Sequence, residues 1–262
     1  MTSRRNALIR RLAAVAVVTL GLACVPGMPS ASAAGATCGA YGNWFRGYLH
    51  DPGAHSEVFE GASSYITFVP SAICGSDSNG PAPSTRFLGT NFTTTWVMIA
   101  DYTRVNYSQD GYMTGYGSAA YPWAEFVNHS AGKKYDRWLA GSVGSGTRMA
   151  FTERWASGCV CIESRANGVL ITQTNYNPFY VWNDAPDGSP KWSPTYSSEK
   201  SHQESDILGE VTNKAKFDGM GVQYTSDNSV HYTPCTLSTL YPIASRSGLS
   251  GSGCTSFQTW TT

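Results

Sequence analysis

FTTTWVMIADYTRVNYSQDGYMTGYGSAAYPWAEF, residues 92–126, is the stretch whose reading decides the fold. Its ends, Phe92–Ile99 and Tyr121–Val127, are dense in Thr, Val, Trp and Phe, side chains that suit a pleated, half-buried surface. Between them lies a polar segment with Gln109, Asp110 and Gly111, expected as a loop carried between two strands. Loops held on such a scaffold are the usual place for a functional site.

Outward from this stretch the same signals repeat. On the N-terminal side, Tyr41–Leu49 and Glu57–Pro70 read as strands, the second closed by Pro70. His50-Asp51-Pro52-Gly53 between them is turn chemistry, and Gly75–Ser84 is a loop. On the C-terminal side, Lys133–Leu139 leads to a Gly/Ser turn at Gly141–Gly146, and Arg148–Arg154 alternates as a strand. Cys159–Ser164 and Gly168–Thr174 form a hairpin whose Asn167-Gly168 suits positive φ. Asn177–Glu199, Pro-rich and aromatic with Trp182, Trp192 and Tyr196, is expected as a long loop. Ile207–Val211 and Gly221–Thr225 are expected as the last core strands, followed by a Gly/Ser loop at Ser245–Gly253 and a short final strand. No segment carries a sustained 3.6-residue apolar period. Many short strands separated by turns imply an all-β fold, two antiparallel sheets packed as a sandwich of concanavalin or jelly-roll type.

The first 33 residues have the form of a cleaved export signal. Arg4, Arg5, Arg10 and Arg11 precede an apolar run, Leu12–Ala23, and the small-residue site Ala31-Ser32-Ala33 follows. The run is too short to span a membrane. Residues 34–262 are then one domain, secreted and extracellular, with no membrane segment and no sign of more than a monomer. The leader holds four arginines and no acids, so 18 basic and 18 acidic residues become 14 and 18, a net charge of −4. A mildly acidic chain without a basic run argues against nucleic acid as a partner. Six cysteines remain after Cys24: Cys38, Cys74, Cys159, Cys161, Cys235 and Cys254. An even number in an exported chain implies disulfides. Cys235 with Cys254, closing a C-terminal extension over 226–262, and Cys38 with Cys74 are the expected pairs, which leaves Cys159 and Cys161 over. The five histidines are scattered, so no metal site is expected.

The chain lacks G-x-S-x-G, a P-loop, H-E-x-x-H and a G-x-G-x-x-G that opens a helix. What it does carry is an ordered series of short motifs over about 43–225: Asn43-Trp44 with Gly47, Phe68-Val69-Pro70, Trp96-Val97-Met98-Ile99, Gln109-Asp110-Gly111, Trp123-Ala124-Glu125-Phe126, Glu204–Glu210 (ESDILGE) and Asp218–Tyr224. In order and spacing the series resembles the eqolisin glutamic peptidases. The resemblance implies a β-sandwich endopeptidase, active at acidic pH, with no metal or organic cofactor and a protein or peptide as substrate. It implies Gln109 as the catalytic glutamine and Glu204 as the catalytic glutamate, with Asp206 and Glu210 as alternates because Ser205 stands where the family has tryptophan. Trp44, Trp96 and Trp123, with Asp101 and Glu125, are the candidates to line the substrate cleft.

The chemistry of such a pair follows from its groups. A carboxylate can take a proton from an attacking water and pass it to the leaving amine. An amide cannot ionise, but its NH₂ can donate to the oxyanion and its carbonyl can orient the water. Two rivals share the fold: a non-catalytic module gripping peptide or polysaccharide, and a glycoside hydrolase, which needs two facing carboxyls such as Glu125 and Glu204.

Overall fold

The computed structural model describes residues 44–49, 59–69, 93–114, 120–139, 141–189, 191–200, 209–210, 213–224, 230–231, 247–251 and 256–261. The chain divides into two units, Met1–Ala31 and Ser32–Thr262, and the described residues all belong to the second. Cys38, Cys74, Cys235 and Cys254 lie outside the described residues, as do Glu204 and Asp206.

Fifteen strands and one helical turn are described: β1 (Trp44–Leu49), β2 (Phe59–Thr67), β3 (Thr93–Ala100), β4 (Tyr107–Thr114), β5 (Ala120–Asn128), β6 (Lys133–Trp138), β7 (Arg148–Ala156), β8 (Cys161–Ala166), β9 (Val169–Gln173), α1 (Pro178–Val181), β10 (Ser193–Lys200), β11 (Gly209–Glu210), β12 (Asn213–Tyr224), β13 (Val230–His231), β14 (Ser247–Ser250) and β15 (Ser256–Thr261). They form a six-stranded sheet, β1-β10-β3-β4-β5-β6, and a nine-stranded sheet, β14-β15-β11-β12-β2-β7-β8-β9 with β13 on β12. All pairings are antiparallel except the single parallel contact Glu210↔Thr261 between β11 and β15. The molecule is the all-β sandwich that the alternating strands imply.

Alternation sorts the side chains of the six-stranded sheet into two layers. Val97, Tyr112 and Tyr196 face the other sheet and pack with its Ile66, Phe151, Ala166 and Phe217 in the main core. Tyr112 meets Phe68 and Phe151 with ring centroids 5.6 and 4.8 Å apart, and Phe217 stacks on Phe257 at 4.3 Å. The opposite face carries a separate apolar layer of Trp96, Met98, Ala100, Met113 and Trp123, edged by Tyr107 and Trp138. A third cluster joins Phe59, Ile99, Ile162, Trp182, Trp192 and Val222.

Several expectations are corrected. Gln109-Asp110-Gly111 is not in a loop: it lies within β4, a central strand between β3 and β5. Seven of its eight residues are buried, and the Ser108, Gln109 and Asp110 side chains find partners in the sandwich instead of water. The segment 177–199 is not one long loop. It contains α1, capped by Asn177 Oδ1 accepting from Phe179 N at 3.0 Å, and its end is strand β10. Residues 247–250 form a strand, and β12 begins at 213 rather than 221. The hairpin expected at Asn167-Gly168 is present, with φ of 47° and 79° at the two turn residues, as a type I′ turn requires. Cys159 and Cys161, which the expected pairings leave over, form a disulfide with each other.

Candidate active site

The site is built from one register. On β3, Thr94, Trp96 and Met98 point to the face away from the main core, and their cross-strand partners share that face. On β4 these are Met113, Gly111 and Gln109; on β10 they are Glu199, Ser197 and Thr195. Beyond β4, Gln109 stands opposite Glu125 and Gly111 opposite Trp123 on β5. Beyond β5, Glu125 stands opposite Asp136 and Val127 opposite Lys134 on β6.

Glu125 organises one end of this face. Its side chain is 1% exposed, yet it holds three donors. Tyr107 Oη donates to Oε1 at 2.7 Å, Gln109 Nε2 donates to the same oxygen at 3.2 Å, and Lys134 Nζ lies 2.5 Å from Oε2. Gln109 therefore spends one of its two N–H donors on Glu125, and that bond fixes which end of the amide is nitrogen. Burial pushes the Glu125 carboxyl up to about 8; Lys134 pulls it back, and Asp136 across the ladder pushes it further up. Burial, and then Glu125, raises the Tyr107 hydroxyl far beyond its ordinary range, so it stays a donor.

Glu199 holds the other end. Trp96 Nε1 donates to its Oε2 at 2.9 Å, and Thr94 Oγ1 lies 3.4 Å from the same oxygen. Burial pushes Glu199 up to about 7, while the Trp96 bond and the Lys134 charge hold it down. Lys134 and Tyr107, both bonded to Glu125, also feel the charge of Glu199. Glu125 and Glu199 thus act on the same two groups, while Gln109 and Glu199 flank β3 from opposite sides, across from Met98 and Thr94.

Gly111 has a steric reason. A Cβ there would land on the Thr95 carbonyl oxygen and 2.8 Å from Trp96 Cα, both backbone atoms of the adjacent strand. Gly47, opposite Ser197 on β1, is constrained in the same way against the Tyr196 carbonyl. Strands β1, β10, β3 and β4 approach too closely there for any side chain.

Among the residues expected at the site, Gln109, Glu125, Trp96 and Trp123 share this face. Trp44 opens β1 opposite Lys200. The Asp101 carboxylate is occupied elsewhere: it accepts from Thr103 Oγ1, Val105 N, Asn106 Nδ2, Asn183 N and Asn183 Nδ2 at 2.8–3.1 Å, which ties the β3–β4 turn to residue 183. Glu210 belongs to β11, in the nine-stranded sheet. Sequence reasoning missed Glu199, Tyr107 and Lys134. The alternation of Thr195, Ser197 and Glu199 was the available signal for the first, but its pairing with β3, about a hundred residues away, is invisible in the sequence. Among the described residues no group of three or more His, Cys, Asp or Glu side chains is arranged to hold a metal ion.

This chain matches no family model and no curated protein. Solved structures do match. A scytalidoglutamic peptidase bound to a peptide-based transition-state analogue superposes with a TM-score of 0.52 at 13% identity, over 85% of this chain and 100% of that one. The fold resembles that of the eqolisin peptidases. SCP-B, a member of that family in complex with the tripeptide Ala-Ile-His, gives a TM-score of 0.51 at 14% identity, over the same 85% and 100%.

Proposed function

We propose that this protein is a secreted acid endopeptidase that hydrolyses peptide bonds with the Gln109 amide and the Glu199 carboxyl. The observation that carries the reading is the shared face: an amide oriented by Glu125 and a carboxyl anchored by Trp96 on one side of one sheet. The likeness to peptidases that bind peptides and peptide analogues supports a peptide as substrate.

A carboxyl near 7 is protonated at acidic pH. In that form Glu199 can act with both oxygens. Water attacks the peptide carbonyl; one Glu199 oxygen takes a proton from that water while the other gives its proton to the carbonyl oxygen. The resulting gem-diol collapses by the reverse exchange: Glu199 receives a hydroxyl proton and delivers its own to the departing amine. The free N–H of Gln109 stabilises the charge that develops on oxygen. One such donor is typically worth about 3–4 kcal/mol, and a positioned acid–base group roughly 10²- to 10⁴-fold. The working form is protonated, so activity declines as pH rises through about 7.

A glycosidase would need Glu125 free as its second carboxyl, but three donors already occupy it. The deciding experiment is casein digestion from about pH 3 to 7 by wild type and the variants Gln109→Ala, Glu199→Gln and Glu204→Gln. Loss of at least about 100-fold in the first two supports the pair. Loss in Glu204→Gln with Glu199→Gln unaffected returns the role to Glu204. No activity in any preparation favours a peptide- or polysaccharide-binding module.

A further inference from the structure

Directly behind Gln109, on the opposite face of β4, Asp110 is fully buried in the seam between the sheets. Its Oδ2 accepts the backbone N–H of Thr152 at 3.1 Å and of Arg165 at 3.0 Å, residues that face each other on β7 and β8. Its Oδ1 meets no donor. Glu153, next on β7, is equally buried, and neither of its oxygens makes a well-formed hydrogen bond. The Ser164 and Ser108 hydroxyls, which bond each other at 3.2 Å, are the groups near enough to favour its charged form. The elements around the pair bring little charge. Val97 and Ala124 flank Asp110 from β3 and β5, and Ala62 flanks Glu153 from β2, which also holds the buried Glu60. Tyr112 of β4 and Tyr176 after β9 are the nearby phenols. The Arg154 and Arg165 guanidiniums bind Glu163 instead. Among the described residues no cation faces the two carboxyls.

A dry carboxylate with few donors and no counter-charge is strongly disfavoured, and two neighbouring ones resist ionising together. We propose that Asp110 and Glu153 form a proton-dependent clasp between the two sheets, closed while the pair keeps its protons and opened as rising pH removes them. Burial drives the Asp110 carboxyl well above its ordinary range, partly offset by the Thr152 and Arg165 amides. Burial, and then the Asp110 charge, does the same for Glu153, partly offset by the Ser164 and Ser108 hydroxyls. The folded chain therefore holds more protons than the unfolded chain above the ordinary carboxyl range. The clasp's stabilisation is complete below about pH 4 and is lost as pH rises. This inference does not depend on the peptidase reading, because it concerns the opposite face of the strand.

Glu125 and Glu199 contribute pH dependence of the same sign, so the test uses a Glu125→Gln/Glu199→Gln background. Urea unfolding midpoints followed by tryptophan fluorescence from about pH 4 to 8 give the number of protons released on unfolding. Adding Glu153→Gln, or Asp110→Asn should the first variant not fold, is expected to reduce that number by at least about one. An unchanged number overturns the clasp. Infrared spectra of the folded background protein near pH 6.5 provide a check that needs no seam variant: a protonated, solvent-shielded carboxyl C=O band is expected, and its absence overturns the proposal equally.

Discussion

Burial raises the Glu199 carboxyl, and Trp96 offsets part of that rise through one indole N–H. That bond favours the ionised carboxylate, so removing it favours the acid. Trp96→Phe should raise the Glu199 pKa above about 7 by roughly one unit and move the alkaline limb of peptide hydrolysis with it. A ¹³C carboxyl titration or the pH–rate profile reads this shift, and an unmoved limb would remove Trp96 from the site. Lys134 acts on Glu125 in the same sense. Lys134→Met should carry the Glu125 pKa above about 8 by ¹³C titration, since the charge that lowers it is gone. At this scale motif order pointed to Trp96, Gln109, Trp123 and Glu125, which lie on one face of the sheet. It was silent where only pairing could speak. Glu199, Tyr107 and Lys134 are ordinary polar residues until β10, β3, β4, β5 and β6 lie side by side.

Strand β4 is the element that sequence alone reads wrongly, for a definite reason. YSQDGYMT is poor in β-branched residues, and Gln-Asp-Gly resembles turn chemistry. The segment is a strand because it finds polar partners on both sides: Gln109 bonds Glu125 on one face, and one Asp110 oxygen takes the Thr152 and Arg165 amides on the other. The glycine in this run serves close approach, not a turn. Gly111→Ala should therefore cost about 3 kcal/mol or more by urea unfolding, as overpacking against backbone does. Gly144→Ala, at an open position, should stay within about 0.5 kcal/mol of wild type. Similar losses in both would mean that the strands do not meet so closely. Asn167-Gly168, by contrast, was legible from its two residues, because a two-residue hairpin turn needs positive φ at both positions.

For the whole molecule, the sandwich was legible because alternation over many short strands leaves few other ways to bury one face of each. The order of strands in the sheets was not, since β10 reaches β3 and β12 reaches β2 across long intervals of chain. The Cys159–Cys161 disulfide closes a ring of only three residues, so it restrains the unfolded chain very little. Replacing both cysteines with serine should lower stability by less than about 2 kcal/mol in urea unfolding; a larger loss would mean that the ring orders more than its own hairpin.

The central claim is that the Gln109 amide and the Glu199 carboxyl share one cleft. The most direct test follows the ¹⁵N and ¹H resonances of the Gln109 side-chain amide from about pH 5 to 9 in wild type and Glu199→Gln. A shared cleft predicts an inflection near 7 in wild type that disappears in Glu199→Gln, leaving only the Glu125 inflection near 8. An inflection near 7 that survives in Glu199→Gln, or is absent from both proteins, would contradict it.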